Sequence, residues 1–211
     1  MTDGAGAGTG RFGLWLRTPT AGDLLDLCRQ MRALDAAEIF ALRSHSDPDR
    51  LALEIYAALP RAARAYAIGL DSGRGVKAFL ALWPMDESGA LASAHLFATD
   101  DFPRVAPRLV RFVRRTLIPE MMAAGMRRAE CRVMERHAPS RAFLRACGAV
   151  EESGPLLDMA PNGESYILAA WRLSDWCNDH VLQHSQTSRG LDRRSGARIA
   201  SGGRRADQRA A

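Results

Sequence analysis

The spacing of apolar residues changes period several times along the chain, and each change marks an element. Residues 12–17 alternate, with Leu14 and Leu16 on one side and Trp15 on the other, as in a strand. Leu24, Leu27, Cys28, Met31 and Leu34 then recur at helical spacing. Thr20 precedes them as N-cap, with Asp23 in the first turn. Residues 35–42 continue as a second short helix. Ser46-Asp47-Pro48 starts a third, with Leu51, Ile55, Ala58 and Leu59 inward, and Pro60 stops it. Alternation returns over residues 65–70, 76–83 and 90–98, three strands joined by turns at residues 71–75 and 86–89.

Residues 99–150 read as helix, strand, short helix and glycine. Asp100 or Asp101 caps the long helix, and Pro103 lies in its first turn, where a missing N–H costs nothing. Val105, Leu109, Phe112, Val113 and Leu117 form its apolar stripe. Arg104, Arg108, Arg111, Arg114 and Arg115 fall largely outside it. Pro119 bends or breaks this helix and Gly125 ends it. A strand over residues 129–134 follows, then a helix over residues 139–147 with Phe143, Leu144 and Cys147 inward. Gly148 supplies its left-handed C′ position. Residues 151–153 and 166–173 close the pattern around the turn Pro161-Asn162-Gly163. The order β-α-α-α-β-β-β-α-β-α-β-β predicts one α+β domain over residues 12–176, with a mixed, twisted sheet of about seven strands flanked by helices.

Composition changes this picture mainly at the ends. The chain has 211 residues, 47% hydrophobic and 25% charged, as in an ordinary globular protein. The net charge of +5 is concentrated in residues 177–211, where seven arginines face three aspartates. That stretch lacks apolar periodicity and reads as a disordered Arg-rich tail, and residues 1–11 read as a flexible Gly-rich leader. Nucleic acid is therefore expected as a partner only through the tail, which has no interleaved aromatic residue to stack on bases. The four cysteines and five histidines show no metal-binding spacing. No run of about 18 apolar residues marks a membrane span. No secretory signal opens the chain, so a cytoplasmic location is expected.

The unit ending in Gly148, followed by Ala149-Val150-Glu151-Glu152, resembles the second half of the GNAT (GCN5-related N-acetyltransferase) fold. The resemblance implies an acyl-CoA site where the fourth strand meets the long helix, and transfer of an acetyl group from acetyl-CoA to an amine on a small molecule or a protein. In the family a glycine-rich loop offers backbone amides to the pyrophosphate at that helix N-terminus. Here the segment is Thr99-Asp100-Asp101-Phe102-Pro103-Arg104, without glycine and with two acids. Thr99, Arg104 and Arg108 are therefore the cofactor-binding candidates. Many members also place a proton-donating Tyr before the helix-ending glycine. Leu144 stands there in this chain, and Tyr66 and Tyr166 fall on expected strands. Glu38, His95 and Asp35 are the available general bases. Asp35 and Glu38 share a helix face, for which a solvated surface is the plain alternative.

Three segments carry a narrower resemblance over about residues 14–173. They are MRALDAAEI at residues 31–39, HLFATDDF at residues 95–102 and RHAPSRAFLRACGA at residues 136–149. They are similar to GNAT-like proteins of tailed bacteriophages, including the internal virion protein A group. His137, where Asn is common, Ala149, where Phe is common, and the Arg-rich tail depart from that group. The resemblance implies a phage or prophage protein in the host cytoplasm or the virion. It further implies either a slow N-acyltransferase or a non-catalytic assembly protein bound to other virion proteins.

Overall fold

The computed structural model describes residues 12–172. The leader, the Arg-rich tail and the end of the domain at residue 176 lie outside the described residues. Seven strands, β1 (Leu14–Arg17), β2 (Arg64–Leu70), β3 (Ala78–Pro84), β4 (Leu91–Ala98), β5 (Arg128–Met134), β6 (Val150–Glu151) and β7 (Tyr166–Arg172), form one sheet in the order β1-β2-β3-β4-β5-β7-β6. Every neighbouring pair is antiparallel except β4 with β5. This is the mixed sheet expected from the element order.

Helices cover both faces. Leu24, Leu27 and Cys28 of α1 (Ala21–Arg29) and Leu51 and Ala52 of α3 (Pro48–Ala58) pack on Phe79, Ala81 and Phe97. On the other face Phe102, Val105, Leu109 and Phe112 of α4 (Phe102–Phe112) cover Ile68, Leu80, Leu82, Ala92 and Ala98. Because strand side chains alternate, even-numbered β4 residues lie under α4 and odd-numbered ones face α1 and α3. Trp15 crosses Gly69 on β2 so closely that an added Cβ would lie 2.1 Å from the indole.

Most boundaries shift by one or two residues, the expected strand over 151–153 being observed at Val150–Glu151, and two differ more. The first helix was expected to run through Leu34, but it ends at Arg29, and α2 occupies Ala33–Ala41. The break follows from β4. Met31 bridges to Thr99, and the Arg32 N–H donates to the Ala98 carbonyl at 2.9 Å, so residues 30–32 serve the sheet. The long helix is interrupted at Val113–Leu117, a turn of π-helix, before α5 (Ile118–Ala123). Pro119 enters in the first turn of α5, so the wider turn absorbs the bond that proline cannot make. The final helix, α6 (Ala138–Ala146), ends as expected, with Gly148 at φ 91°.

Candidate functional site

The parallel pairing of β4 with β5 covers only Leu91–Ser93 against Arg128–Glu130. Beyond Ser93 and Glu130 the strands part. A parallel ladder continued in the same register would take the Met134 N–H to the Leu96 carbonyl and the Ala98 N–H to the Met134 carbonyl. Side chains and turns hold these groups instead. The Met134 N–H donates to Glu38 Oε2 at 3.0 Å, and the Ala98 N–H donates to Asp35 Oδ2 at 2.8 Å. The Met134 carbonyl accepts from the His137 N–H at 2.9 Å. The edges left facing the gap are the Ala94 carbonyl and the backbone groups of Leu96 on β4, and the backbone groups of Arg132 on β5.

Both carboxylates come from α2. The face carrying Asp35 and Glu38 is therefore inserted between two strands, and the solvated-surface alternative fails for it. Asp35 is 3% exposed and pairs with the Arg32 guanidinium through Nη2–Oδ1 at 2.7 Å and Nε–Oδ2 at 3.0 Å. Burial raises its pKa, opposed by Arg32 and the Ala98 amide. Arg32 in turn lies over the Phe102 ring at 4.4 Å, tying the cluster to α4. His137, 1% exposed, stands between the two acids, with Nδ1 3.1 Å from Glu38 Oε2 and Nε2 3.3 Å from Asp35 Oδ1. Ser140 Oγ lies 3.4 Å from the same Nε2. The sequence reading missed this role for His137. The signal was a polar residue in the turn between a strand and a helix, on the far side of the gap from two acids at i, i+3.

His95, the other catalytic candidate, is on the α1–α3 face of β4. Its Nε2 is 3.0 Å from Ser93 Oγ, and its ring meets the Trp83 indole edge-on at 6.4 Å. The residue is exposed, yet crowding by neighbouring atoms lowers its pKa below 6.5, with Arg43 adding a smaller push. A lowered pKa leaves the ring neutral near pH 7 and able to accept a proton. Glu130 and Arg132 share this face across the gap, because Ser93 is in register with Glu130.

The tyrosines are engaged elsewhere. The Tyr166 hydroxyl donates to the Glu38 carbonyl at 2.8 Å, and burial pushes its pKa up to about 12. Tyr66 packs edge-on against Phe112 at 5.6 Å. Leu144 packs beside Cys131 and Ala149 in an apolar cluster.

At the start of α4 the amides of Phe102 and Arg104 are already used. The Phe102 N–H donates to the Thr99 carbonyl, and the Arg104 N–H donates to the Asp101 carbonyl, both at 3.0 Å. Pro103 has no N–H. Thr99 is 6% exposed, its hydroxyl 3.5 Å from the Lys77 carbonyl and 3.4 Å from the Asp101 amide, so it shapes the turn. Asp101 is held by Lys77 at 2.7 Å, with Arg104 at 3.6 Å, and these cations lower its pKa. Only Asp100 is left to repel an anion there, a milder obstacle than two free acids. Arg104 is exposed, and Arg108 Nη1 donates to the Arg104 carbonyl at 2.9 Å. An amide cradle does not fit this terminus, whereas guanidinium side chains do.

Among the described residues no cluster of side chains suits a metal ion, and no helix is long and apolar enough to cross a membrane. No family model matches the sequence, and no curated protein matches it. Solved structures share the fold. A Chromobacterium violaceum protein assigned to the GNAT family of acetyltransferases is 17% identical, with 83% of this chain and 96% of that one covered at a TM-score of 0.61. The ribosomal-protein-S5-alanine acetyltransferase of Vibrio fischeri is 17% identical over 78% of this chain and 95% of its own, TM-score 0.55. The microcin C7 self-immunity acetyltransferase, in complex with acetyl-CoA and AMP, is 11% identical over 76% and 93%, TM-score 0.57. The fold is that of GNAT acetyltransferases.

Proposed function

We propose that the protein is an N-acyltransferase that moves an acyl group from acetyl-CoA to an amine on a small molecule or a protein in the cytoplasm. The observation that carries this reading is the gap between β4 and β5, where Leu96 and Arg132 present strand edges beside His95. An extended, amide-bearing arm fits such edges by the same hydrogen bonding that joins strands. Solved structures of this fold bind acetyl-CoA, as the microcin C7 immunity enzyme does.

When bound, acetyl-CoA supplies the activated acyl group. The chain's own residues do the rest. His95 takes a proton from the acceptor ammonium beside Ser93 and Trp83. Glu38, whose side chain is 17% exposed, holds negative charge where a cationic acceptor approaches. Arg104 and Arg108 hold the donor's phosphates through side chains, and Thr99 fixes the turn from which α4 starts.

A second reading is a non-catalytic interaction protein of the same fold, such as the phage virion component suggested by residues 31–39, 95–102 and 136–149. The spent amides at the start of α4 favour it. Thermal-shift titration with acetyl-CoA separates the two. At 100 times its dissociation constant a ligand stabilises by about 2.7 kcal/mol, which is readily measured. A shift together with acetylation of a polyamine or peptide amine is the expected outcome. No shift at millimolar acetyl-CoA overturns the enzyme reading.

A further inference from the structure

We infer that Asp35, Glu38 and His137 form a wedge that keeps β4 and β5 apart and so creates the donor slot, with His137 as the positioning residue. This rests on the acyltransferase reading for its use, but not for its geometry. Three groups that a continued ladder would employ, the amides of Ala98 and Met134 and the carbonyl of Met134, are diverted to Asp35, Glu38 and the His137 amide. The fourth, the Ala98 carbonyl, accepts from Arg32. All four are satisfied, so closing the gap would exchange good hydrogen bonds for others while stranding two carboxylates. His137 touches both acids and braces one against the other. Leu96 and Arg132, between the diverted groups and the paired end, are left for a ligand.

The wedge predicts an inverted protection pattern. In the ligand-free protein the amides of Ala98 and Met134, at the ends of their strands, exchange with deuterium more slowly than the Leu96 amide, by at least about tenfold. Residue-resolved exchange by NMR measures this without any variant. A Leu96 amide protected like that of Ala92 means the strands are zipped in solution and overturns the proposal.

Variants sharpen it. Glu38→Gln keeps an oxygen acceptor and retains protection at Met134. Glu38→Leu lets the ladder advance, so Leu96 gains protection and the Met134 amide passes from Glu38 to the Leu96 carbonyl. His137→Phe removes both ring nitrogens and raises the KM for acetyl-CoA more than it lowers kcat. Equal losses in kcat and kcat/KM would make His137 part of the chemistry and count against a positioning role. Exchange and transfer fail separately. An inverted pattern without any acetyl transfer supports the wedge and sinks the enzyme reading. Transfer with a protected Leu96 does the opposite.

Discussion

The two sides of the β4–β5 gap are built by opposite means. On the α2 side, Asp35, Glu38, His137 and Arg32 form a dense polar cluster in which nearly every group has a partner. On the α4 side, the helix is fixed by apolar packing of Val105 and Leu109, and its first turn uses the Phe102 and Arg104 amides itself. Charge there is carried on exposed arginines. The difference shows where each side spends its specificity. Buried charge tolerates little change in geometry, whereas exposed guanidiniums adapt to an anion at small cost to the fold.

The largest test of that contrast is Asp35→Ala. It leaves Arg32, His137 and the Ala98 amide without their common partner in a site 3% exposed, and should destabilise the domain by about 3–5 kcal/mol in urea unfolding. A loss under about 1 kcal/mol would mean that the cluster is not energetically coupled. The acid response has a definite sign. Burial raises the Asp35 pKa, so ionising it costs the fold, and that cost disappears as pH falls through the raised value. Asp35→Asn should remove this contribution and steepen the loss of stability as acid brings the pH down through the carboxylate range, as seen in thermal melts across that range.

Next in size is His95→Gln, expected to lower kcat about 100-fold if His95 is the base. Because crowding and then Arg43 hold its pKa below 6.5, kcat/KM in the native enzyme should be flat through pH 7 and fall only on the acid side of 6.5. Arg43→Gln should move that limb upward, though not fully to 6.5, since crowding is the larger cause. An unmoved limb would assign it to another group.

The outline of the fold was legible because its signals are local. Thr20 and Asp23 do form the reciprocal cap, with the Asp23 N–H donating to Thr20 Oγ1 at 3.2 Å and the Thr20 N–H to Asp23 Oδ2 at 2.9 Å. Gly148 does end α6. The site was legible only in part. Glu38 and His95 flank the gap as candidates, but the partners that decide their roles are remote in sequence. His137 lies 99 residues from Glu38, and Ala98 lies 63 from Asp35. Helical periodicity ran the first helix through Met31 because Met31 is apolar and in phase. Its pairing with Thr99 is a long-range bond that no local pattern encodes.

The smallest expected effects concern the α4 side. Lys77 is the chain's single lysine, and its partner Asp101 stands at the start of α4. Asp101 has its pKa lowered chiefly by that lysine, so the pair favours the fold above the ordinary carboxylate range, a contribution that fades as acid titrates Asp101. The pair is partly exposed to solvent, so Lys77→Met should change the melting temperature at pH 7 only slightly. Binding of acetyl-CoA should respond more. Freed of its lysine, Asp101 joins Asp100 in repelling phosphate, and affinity should fall about two- to fivefold at low salt. Asp100→Asn should raise it by a similar factor, and Arg104→Ala and Arg108→Ala should each lower it. Isothermal titration at two salt concentrations reads all four variants, with the differences shrinking as salt screens them. If Asp100→Asn weakens binding, or both arginine changes are silent while the native chain binds tightly, the donor's phosphates lie elsewhere. In that event the α4 side would be a packing surface, and the contrast across the gap would be one between a site and a support.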